Sequence, residues 1–225
     1  MTYTALVSLL TLGDDLQRVN TNAIVTALKL LQMPDGAYRA TLSESGEADV
    51  RFLYCACAIS AILDDWTGVD KDVAVQYILQ CLTYEGGIAV MPGGEATGGS
   101  CYCAVAALAL MDRLDALGPQ RSADLIRWCE ARQVGGYQGR TNKDPDSCYS
   151  FWVGGCLSIM HRFDTTDIHS TQTFLLQDCQ QNQYIGGFSK LPDCYADVLH
   201  SFYSIAWLSM AKYSGLKEID PRLGV

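Results

Sequence analysis

Apolar positions recur at helical spacing along the chain, in two alternating kinds of segment. In the first kind, such as Ala23 to Leu31 and Ala123 to Cys129, they mark a single face, as expected for a helix with one side in water. The second kind comprises Phe52 to Leu63, Cys101 to Met111, Tyr149 to Met160 and Ser201 to Met210. Here apolar and small residues occupy several faces, as in a helix surrounded by protein. Thr2 to Leu12 is one more segment of this second kind. Glycine turns separate the two kinds: Gly36, Gly87, Gly136 and Gly187 stand 51, 49 and 51 residues apart. Their settings are Gln32-Met33-Pro34-Asp35-Gly36-Ala37-Tyr38, Tyr84-Glu85-Gly86-Gly87-Ile88, Gln133-Val134-Gly135-Gly136-Tyr137 and Gln183-Tyr184-Ile185-Gly186-Gly187-Phe188. These turns are expected to be helix C-caps with a hydrophobic anchor, architectural and not chemical. Each unit is helix, glycine turn, loop, helix, and a period near 50 residues means stacked units. The pattern predicts an all-α chain with two concentric rings of helices, one-sided helices outside and small-residue-rich helices inside.

Composition narrows the class. With 225 residues, 49% of them hydrophobic, the chain can bury one substantial core. Ten cysteines are too dilute for a disulfide scaffold and are expected to be reduced thiols of a cytoplasmic protein. Met1-Thr2-Tyr3-Thr4 lacks the basic region of a cleaved leader, and no apolar run reaches the roughly 18–20 residues that span a bilayer. Sixteen Lys and Arg against 25 Asp and Glu give a formal charge of -9. That balance argues against nucleic acid as a partner and favours basic peptides or proteins.

Chemistry is expected where the inner helices begin, because equivalent positions of successive repeats face the axis there. If Tyr54, Tyr102, Ser150 and Phe202 share one slot, Cys148 and His200 fall two residues earlier, 52 apart, with Asp146 two before Cys148. One carboxylate, one thiolate and one imidazole converging on a rim suit zinc and leave a coordination position open. The same residues also suit a helix cap (Asp146), a small buried side chain (Cys148) and a satisfied core histidine (His200). His161 and His169 fall at helix ends or in a loop and are expected at the surface. The rim also gathers Arg140, Lys143 and, from the next repeat, Lys190. Beside the Tyr149 hydroxyl these cations could hold a diphosphate, or form an ordinary solvated basic loop.

The run Gly139-Arg140-Thr141-Asn142-Lys143-Asp144-Pro145-Asp146-Ser147-Cys148-Tyr149-Ser150-Phe151-Trp152 resembles the signature of protein prenyltransferase β subunits. Leu12-Gly13-Asp14-Asp15-Leu16-Gln17-Arg18-Val19, Asp49-Val50-Arg51-Phe52-Leu53-Tyr54-Cys55 and Arg127-Trp128-Cys129-Glu130-Ala131-Arg132-Gln133 extend the likeness over essentially the whole chain. It is strongest to the type I geranylgeranyltransferase branch. The resemblance implies an α/α toroid, here an incomplete α6/α6 barrel of about four and a half helix pairs filling residues 1–225 as one domain. It implies one zinc held by Asp146, Cys148 and His200, and an isoprenoid diphosphate held by Arg140, Lys143, Tyr149 and Lys190 with Thr97, Gly98 and Gly99 nearby. Tyr54, Cys103, Phe151, Trp152 and Tyr203 would line the lipid pocket, and Arg51 would lie near the acceptor peptide's C-terminus. The implied partners are a prenyltransferase α subunit, geranylgeranyl diphosphate and small GTPases ending in a CaaX-type motif.

Lys190 decides between branches: farnesyl-type and Rab-type members carry a magnesium-placing aspartate there, whereas type I geranylgeranyl members resemble this chain in having lysine, so a fixed cation would replace magnesium. Three features depart from the family pattern. Thr97 replaces a family histidine that contacts diphosphate. Tyr203 matches the farnesyl-type residue where geranylgeranyl-type members tend to carry phenylalanine. Roughly the first hundred family residues have no counterpart ahead of Met1, so a truncated form is expected. A farnesyltransferase-type β subunit and a non-catalytic toroid scaffold stand as alternatives. A terpene cyclase ranks below them, because Asp14-Asp15 and Asp64-Asp65 are expected to face away from the rim.

Overall fold

The N-cap residues set the architecture. Asp49, Thr97, Asp146 and Asp197 each adopt extended backbone and accept a hydrogen bond from an N–H in the helix they precede, which fixes where four of the five inner helices start. A computed structural model describes residues 1–43, 46–181 and 186–225. Gln183, Tyr184 and Ile185 of the fourth glycine turn lie outside the described residues. The inner helices are α1 (Thr2–Thr11), α3 (Val50–Leu63), α5 (Gly98–Leu110), α7 (Ser147–Ile159) and α9 (Val198–Met210). They alternate with outer helices α2 (Thr21–Leu31), α4 (Lys71–Gln80), α6 (Gly118–Glu130) and α8 (Ile168–Thr173), the last continued by a π-helical stretch, Phe174–Cys179. Each inner helix packs on the next, α1 on α3 through to α7 on α9.

Burial follows the predicted division. Nearly every side chain of α5 from Ser100 to Leu108 is buried, whereas α2 buries Val25 and Leu28 along one stripe. The principal core runs from Leu6 through Leu53, Ile78, Leu108 and Leu125 to Leu157, across successive repeats. At the α9 edge Val198, Leu199, Phe202 and Ile205 remain exposed. All ten cysteines are free thiols. Among the described residues no helix is long and apolar enough to cross a membrane.

The glycine turns differ from the expectation. The helices before them end on Gln32, Cys81 and Ala131, which are extended or right-handed, so the glycines are not helix C-caps. They form tight turns of short hairpins, closed by the antiparallel pairs Gln32 with Tyr38, Leu82 with Ile88 and Gln133 with Tyr137. Gly36 and Gly86 supply the left-handed backbone, with φ of 96° and 94°, which costs a glycine little. They also abut the next repeat: a Cβ on Gly36 would lie 2.2 Å from the Val73 carbonyl oxygen of α4.

Candidate metal centre and adjoining cation pocket

Asp146, Cys148 and His200 meet where α7 and α9 begin, with one ligand atom from each lying within 4.8 Å of the others. Asp146 caps α7 by accepting from the Cys148 N–H at 3.0 Å, so its expected role as a cap holds alongside its place in the cluster. His200 Nε2 stands 3.3 Å from Asp146 Oδ1. Its other nitrogen, Nδ1, lies 2.6 Å from Asp197 Oδ2. Both ring nitrogens thus face carboxylates, which only accept; a metal ion in the cluster would take the Nε2 lone pair and leave the proton on Nδ1, held by Asp197. Asp197 was missed in the sequence, although its place three residues before His200 is the position from which a cap reaches back to its helix.

The donor set fits a metal ion. Ligands at about 2.1 Å in a tetrahedron stand roughly 3.4 Å apart, close to the Asp146–His200 separation, and the 4.8 Å span closes with small side-chain movements. Burial pushes the Cys148 thiol up, and the charge and hydrogen bond of Asp146 push it further, while Lys190 opposes. A thiolate there therefore calls for a bound cation.

The shared slot is one residue out of register from the expectation. Counting from each cap, Tyr54, Tyr102, Phe151 and Phe202 are equivalent, each five residues on, and Ser150 is not one of them. Cys148 is the second residue after its cap and His200 the third. They meet because adjacent helices present neighbouring positions, not the same one.

A cavity of about 480 Å³ opens beside the cluster, lined by Arg140, Lys143, Asp146, Tyr149 and Lys190 together with Thr97. The turn Arg140 to Lys143 closes through the Lys143 N–H on the Arg140 carbonyl, with Asn142 left-handed at φ 60°. Asn tolerates that conformation. The Arg132 guanidinium donates to Thr141 Oγ1 at 2.6 Å and anchors the loop. The Lys190 carbonyl accepts from the Ser147 N–H at 3.0 Å, which holds the Lys190 Nζ 3.7 Å from Asp146. Arg140 pairs with Glu95 at 2.6 Å, a partner not anticipated from sequence. Burial first, then the proximity of Cys148 and Asp146, raises the Tyr149 hydroxyl, so it remains a donor.

Gly98 and Gly139 serve the Tyr149 ring. A Cβ on Gly139 would fall 2.2 Å from Tyr149 Cε2, and one on Gly98 3.0 Å from Cδ1. The ring is sandwiched between two residues that have no side chain. Gly99 has open space around it. Thr97 reaches the cavity with its hydroxyl already engaged. It accepts from the Ser100 N–H and lies 2.7 Å from Ser100 Oγ, whose own proton goes to the Ile88 carbonyl. The Thr97 proton is thus donated to Ser100.

Deeper between the helices, Tyr54, Tyr102, Phe151, Trp152 and Tyr203 form a continuous belt of rings with centroids 4.4–5.5 Å apart. They border a cavity of about 240 Å³. Cys103, expected there, is buried but is not among its lining residues. Arg51 sits on the rim at the start of α3, paired with the buried Asp49 at 2.6 Å. Asp14 and Asp65 accept from backbone N–H groups two residues on, beyond the C-terminal ends of α1 and α3 and away from the rim. His161 and His169 are exposed.

Residues 1–225 match the family described as "Prenyltransferase alpha-alpha toroid domain". The chain belongs to that family. Among curated proteins the toroid is 42% identical over 225 residues to the geranylgeranyl transferase type-1 subunit beta of Dictyostelium discoideum, covering 100% of this chain and 63% of that one. It is 39% identical over 234 residues to the namesake of Arabidopsis thaliana, covering 100% and 61%. Among solved structures it resembles Candida albicans protein geranylgeranyltransferase-I complexed with GGPP. The TM-score is 0.85 at 29% identity, over 99% of this chain and 70% of that one. The chain therefore spans about three fifths of the length of these two curated relatives.

Proposed function

We propose that this toroid is the catalytic β subunit of a type I protein geranylgeranyltransferase, moving a geranylgeranyl group from its diphosphate to the cysteine of a C-terminal CaaL motif. One observation carries the reading: a carboxylate, a thiol and an imidazole within 4.8 Å of one another share a rim with a cavity lined by Arg140, Lys143 and Lys190. Asp146, Cys148 and His200 would hold one zinc ion. Zinc bound there supplies a Lewis acid that lowers the pKa of an acceptor thiol.

The chain's own residues do the rest. Arg140, Lys143 and Lys190 offer three cations to the diphosphate, and the Tyr149 hydroxyl donates to its oxygens as charge develops on departure. Lys190 puts a fixed positive charge where a divalent ion would otherwise be needed, so magnesium is dispensable. For Arg140 to engage, its pair with Glu95 must open, and a half-exposed pair costs little to break. The ring belt takes the apolar chain and holds C1 near the metal cluster. Arg51 is placed for an acceptor peptide's carboxylate, and an α subunit would complete that site.

Purified with an α subunit, the chain is expected to carry about one equivalent of zinc and to transfer radiolabelled geranylgeranyl to a peptide ending Cys-aliphatic-aliphatic-Leu without added magnesium. Cys148→Ala should abolish both. Stoichiometric zinc in that variant, or transfer that survives it, would overturn the site.

A further inference from the structure

One arginine behind the cation cavity carries its charge where no carboxylate answers it. Arg132 follows α6, opens the hairpin that leads to Gly139 and Arg140, and is only 8% exposed. Its backbone is held on both sides: its N–H donates to the Cys129 carbonyl at 3.0 Å, and its carbonyl accepts from the Gln138 N–H at 2.9 Å. The guanidinium carbon lies 5.0 Å from the centre of the Trp128 ring. Nη1 donates to Thr141 Oγ1 at 2.6 Å, while the buried Nε has no hydrogen-bond partner among the described residues.

The arginines around it are paired: Arg127 with Asp124, Arg140 with Glu95 and Arg162 with Glu130. Among the described residues no carboxylate oxygen comes within 4.0 Å of the Arg132 guanidinium. Glu85 enters the same network through other atoms, accepting from Trp128 Nε1 at 3.4 Å and lying 3.5 Å from Thr141 Oγ1. Nor do the nearby thiols supply an anion. The hydrogen bond that Cys129 makes to Cys156, and then burial, push the Cys129 thiol well up, and burial does the same to Cys101. A buried cation with no counter-charge is costly to the folded state. Thr141, the one side chain it holds, belongs to the turn from Arg140 to Lys143, and both ends of that turn line the cation cavity.

We propose that Arg132 is a positioning residue for the diphosphate: a buried fourth cation that acts through Thr141 on the turn bearing Arg140 and Lys143, and whose missing counter-charge is the diphosphate itself. The inference rests on the function proposed above. With its backbone tied to Cys129 and Gln138, Arg132 cannot follow a ligand, so it holds Thr141, and with it the turn, in one place. Its charge also adds attraction without contact, because a charge in low-dielectric surroundings is felt further than one in water. Arg140 is half-exposed and is drawn aside by Glu95; Arg132 has no such competitor. The cost of the unpaired charge before binding is offset when an anion reaches the cavity, which makes the pocket more avid for diphosphate than its three surface cations alone.

The test uses the full chain with its α subunit and two probes, inorganic pyrophosphate and geranylgeranyl diphosphate. Dissociation constants come from equilibrium binding, and thermal melting is recorded with and without pyrophosphate. Arg132→Met keeps an apolar stem against Trp128 but removes the charge. Without ligand it should melt no lower than wild type, because an unpaired buried charge is gone. It should nevertheless bind both probes about tenfold more weakly, and gain less in melting temperature from the same concentration of pyrophosphate. Arg132→Lys keeps the charge and can still donate one hydrogen bond to Thr141, so it should regain most of the lost affinity. Wild-type affinity in Arg132→Met overturns the inference and leaves the proposed function standing. So does an Arg132→Met variant that melts lower as it binds more weakly, the mark of a merely structural arginine, and so does an Arg132→Lys variant as weak as Arg132→Met. If wild type binds neither probe, the proposed function itself falls and takes the role of Arg132 with it.

Discussion

Replacing Asp197 by asparagine probes the metal cluster without touching a ligand. Asp197 does two jobs with its two oxygens: Oδ1 accepts the His200 backbone N–H at 2.9 Å, and Oδ2 accepts the ring Nδ1–H at 2.6 Å. Asparagine is as good an N-cap as aspartate, so Oδ1 stays on the backbone N–H, which can only donate. The amide NH₂ then faces Nδ1. Both groups cannot donate, so the imidazole places its proton on Nε2, the nitrogen that lies 3.3 Å from Asp146 Oδ1 and would ligate the metal.

Ligation by Nε2 now requires the disfavoured tautomer and forfeits a charge-assisted hydrogen bond, worth about 1.5–3 kcal/mol. That agrees with the roughly 10–100-fold loss of affinity seen when the partner of a ligating histidine is removed. The assay is competition for zinc against a chelator near neutral pH, with thermal melting of the metal-free protein alongside. Asp197→Asn should lose about 10–100-fold in zinc affinity with its metal-free melting temperature preserved. Asp197→Ala should lose both, since the cap alone is worth about 1 kcal/mol. Wild-type zinc affinity in Asp197→Asn would refute the tautomer argument and the assignment of His200 as a ligand through Nε2.

Two further substitutions read other parts of the molecule. Gly139→Ala drives a methyl group into the Tyr149 ring, whose other edge lies against Gly98. Overpacking of this kind costs about 1–3 kcal/mol, so the variant should melt lower and bind geranylgeranyl diphosphate more weakly; a wild-type melt with wild-type affinity would show that the ring has room to move. At Asp220, burial raises the carboxyl but the hydrogen bonds and charge of Arg222 prevail, leaving its pKa below the ordinary value. Its contribution to stability is therefore full above the unfolded value of about 3.9 and lost as pH falls through the depressed folded value. Melting followed from neutral pH down through that window should fall more steeply in wild type than in Asp220→Asn, and parallel curves would dismiss the Asp220–Arg222 clasp.

The two helix populations were legible because burial on one face and burial on several leave different residue patterns, and α2 and α5 show both in full. The cluster was legible too, through the spacing of Asp146, Cys148 and His200. What sequence misplaced was register. Inner helices α3, α5, α7 and α9 begin two or three residues earlier than their apolar runs, because polar caps such as Asp49 and Asp197, and not hydrophobicity, decide the first turn. That shift puts Phe151 in the slot assigned to Ser150. The glycine turns were misread for a related reason: hairpin turns and helix C-caps both ask for a left-handed residue, and the pairing of Gln32 with Tyr38 that distinguishes them has no local signature. Contacts made across the chain, Arg140 with Glu95 or Tyr102 with Pro221, leave no periodic trace at all.

The caps also bear on how a chain of formal charge -9 could hold the diphosphate proposed above. Four of the five inner helices start behind a side-chain cap, each carrying the partial positive charge of a helix N-terminus. Three are capped by aspartate, and each of those carboxylates serves a group on its own turn or in the cluster: Asp49 holds Arg51, Asp146 stands beside His200 and Lys190, and Asp197 orients His200. The exception is α5, capped by the neutral Thr97, and Thr97 is the cap that lines the cation cavity without adding a carboxylate. The helix start beside the cation-lined cavity is thus the one with no carboxylate at its own cap. At that start the Gly98 N–H donates to the Gly139 carbonyl at 2.8 Å and the Ser100 N–H to Thr97 Oγ1 at 3.2 Å. Under the proposed function, Thr97 adds no negative charge to the cavity, and Arg140, Lys143 and Lys190 are the cations it would offer a diphosphate.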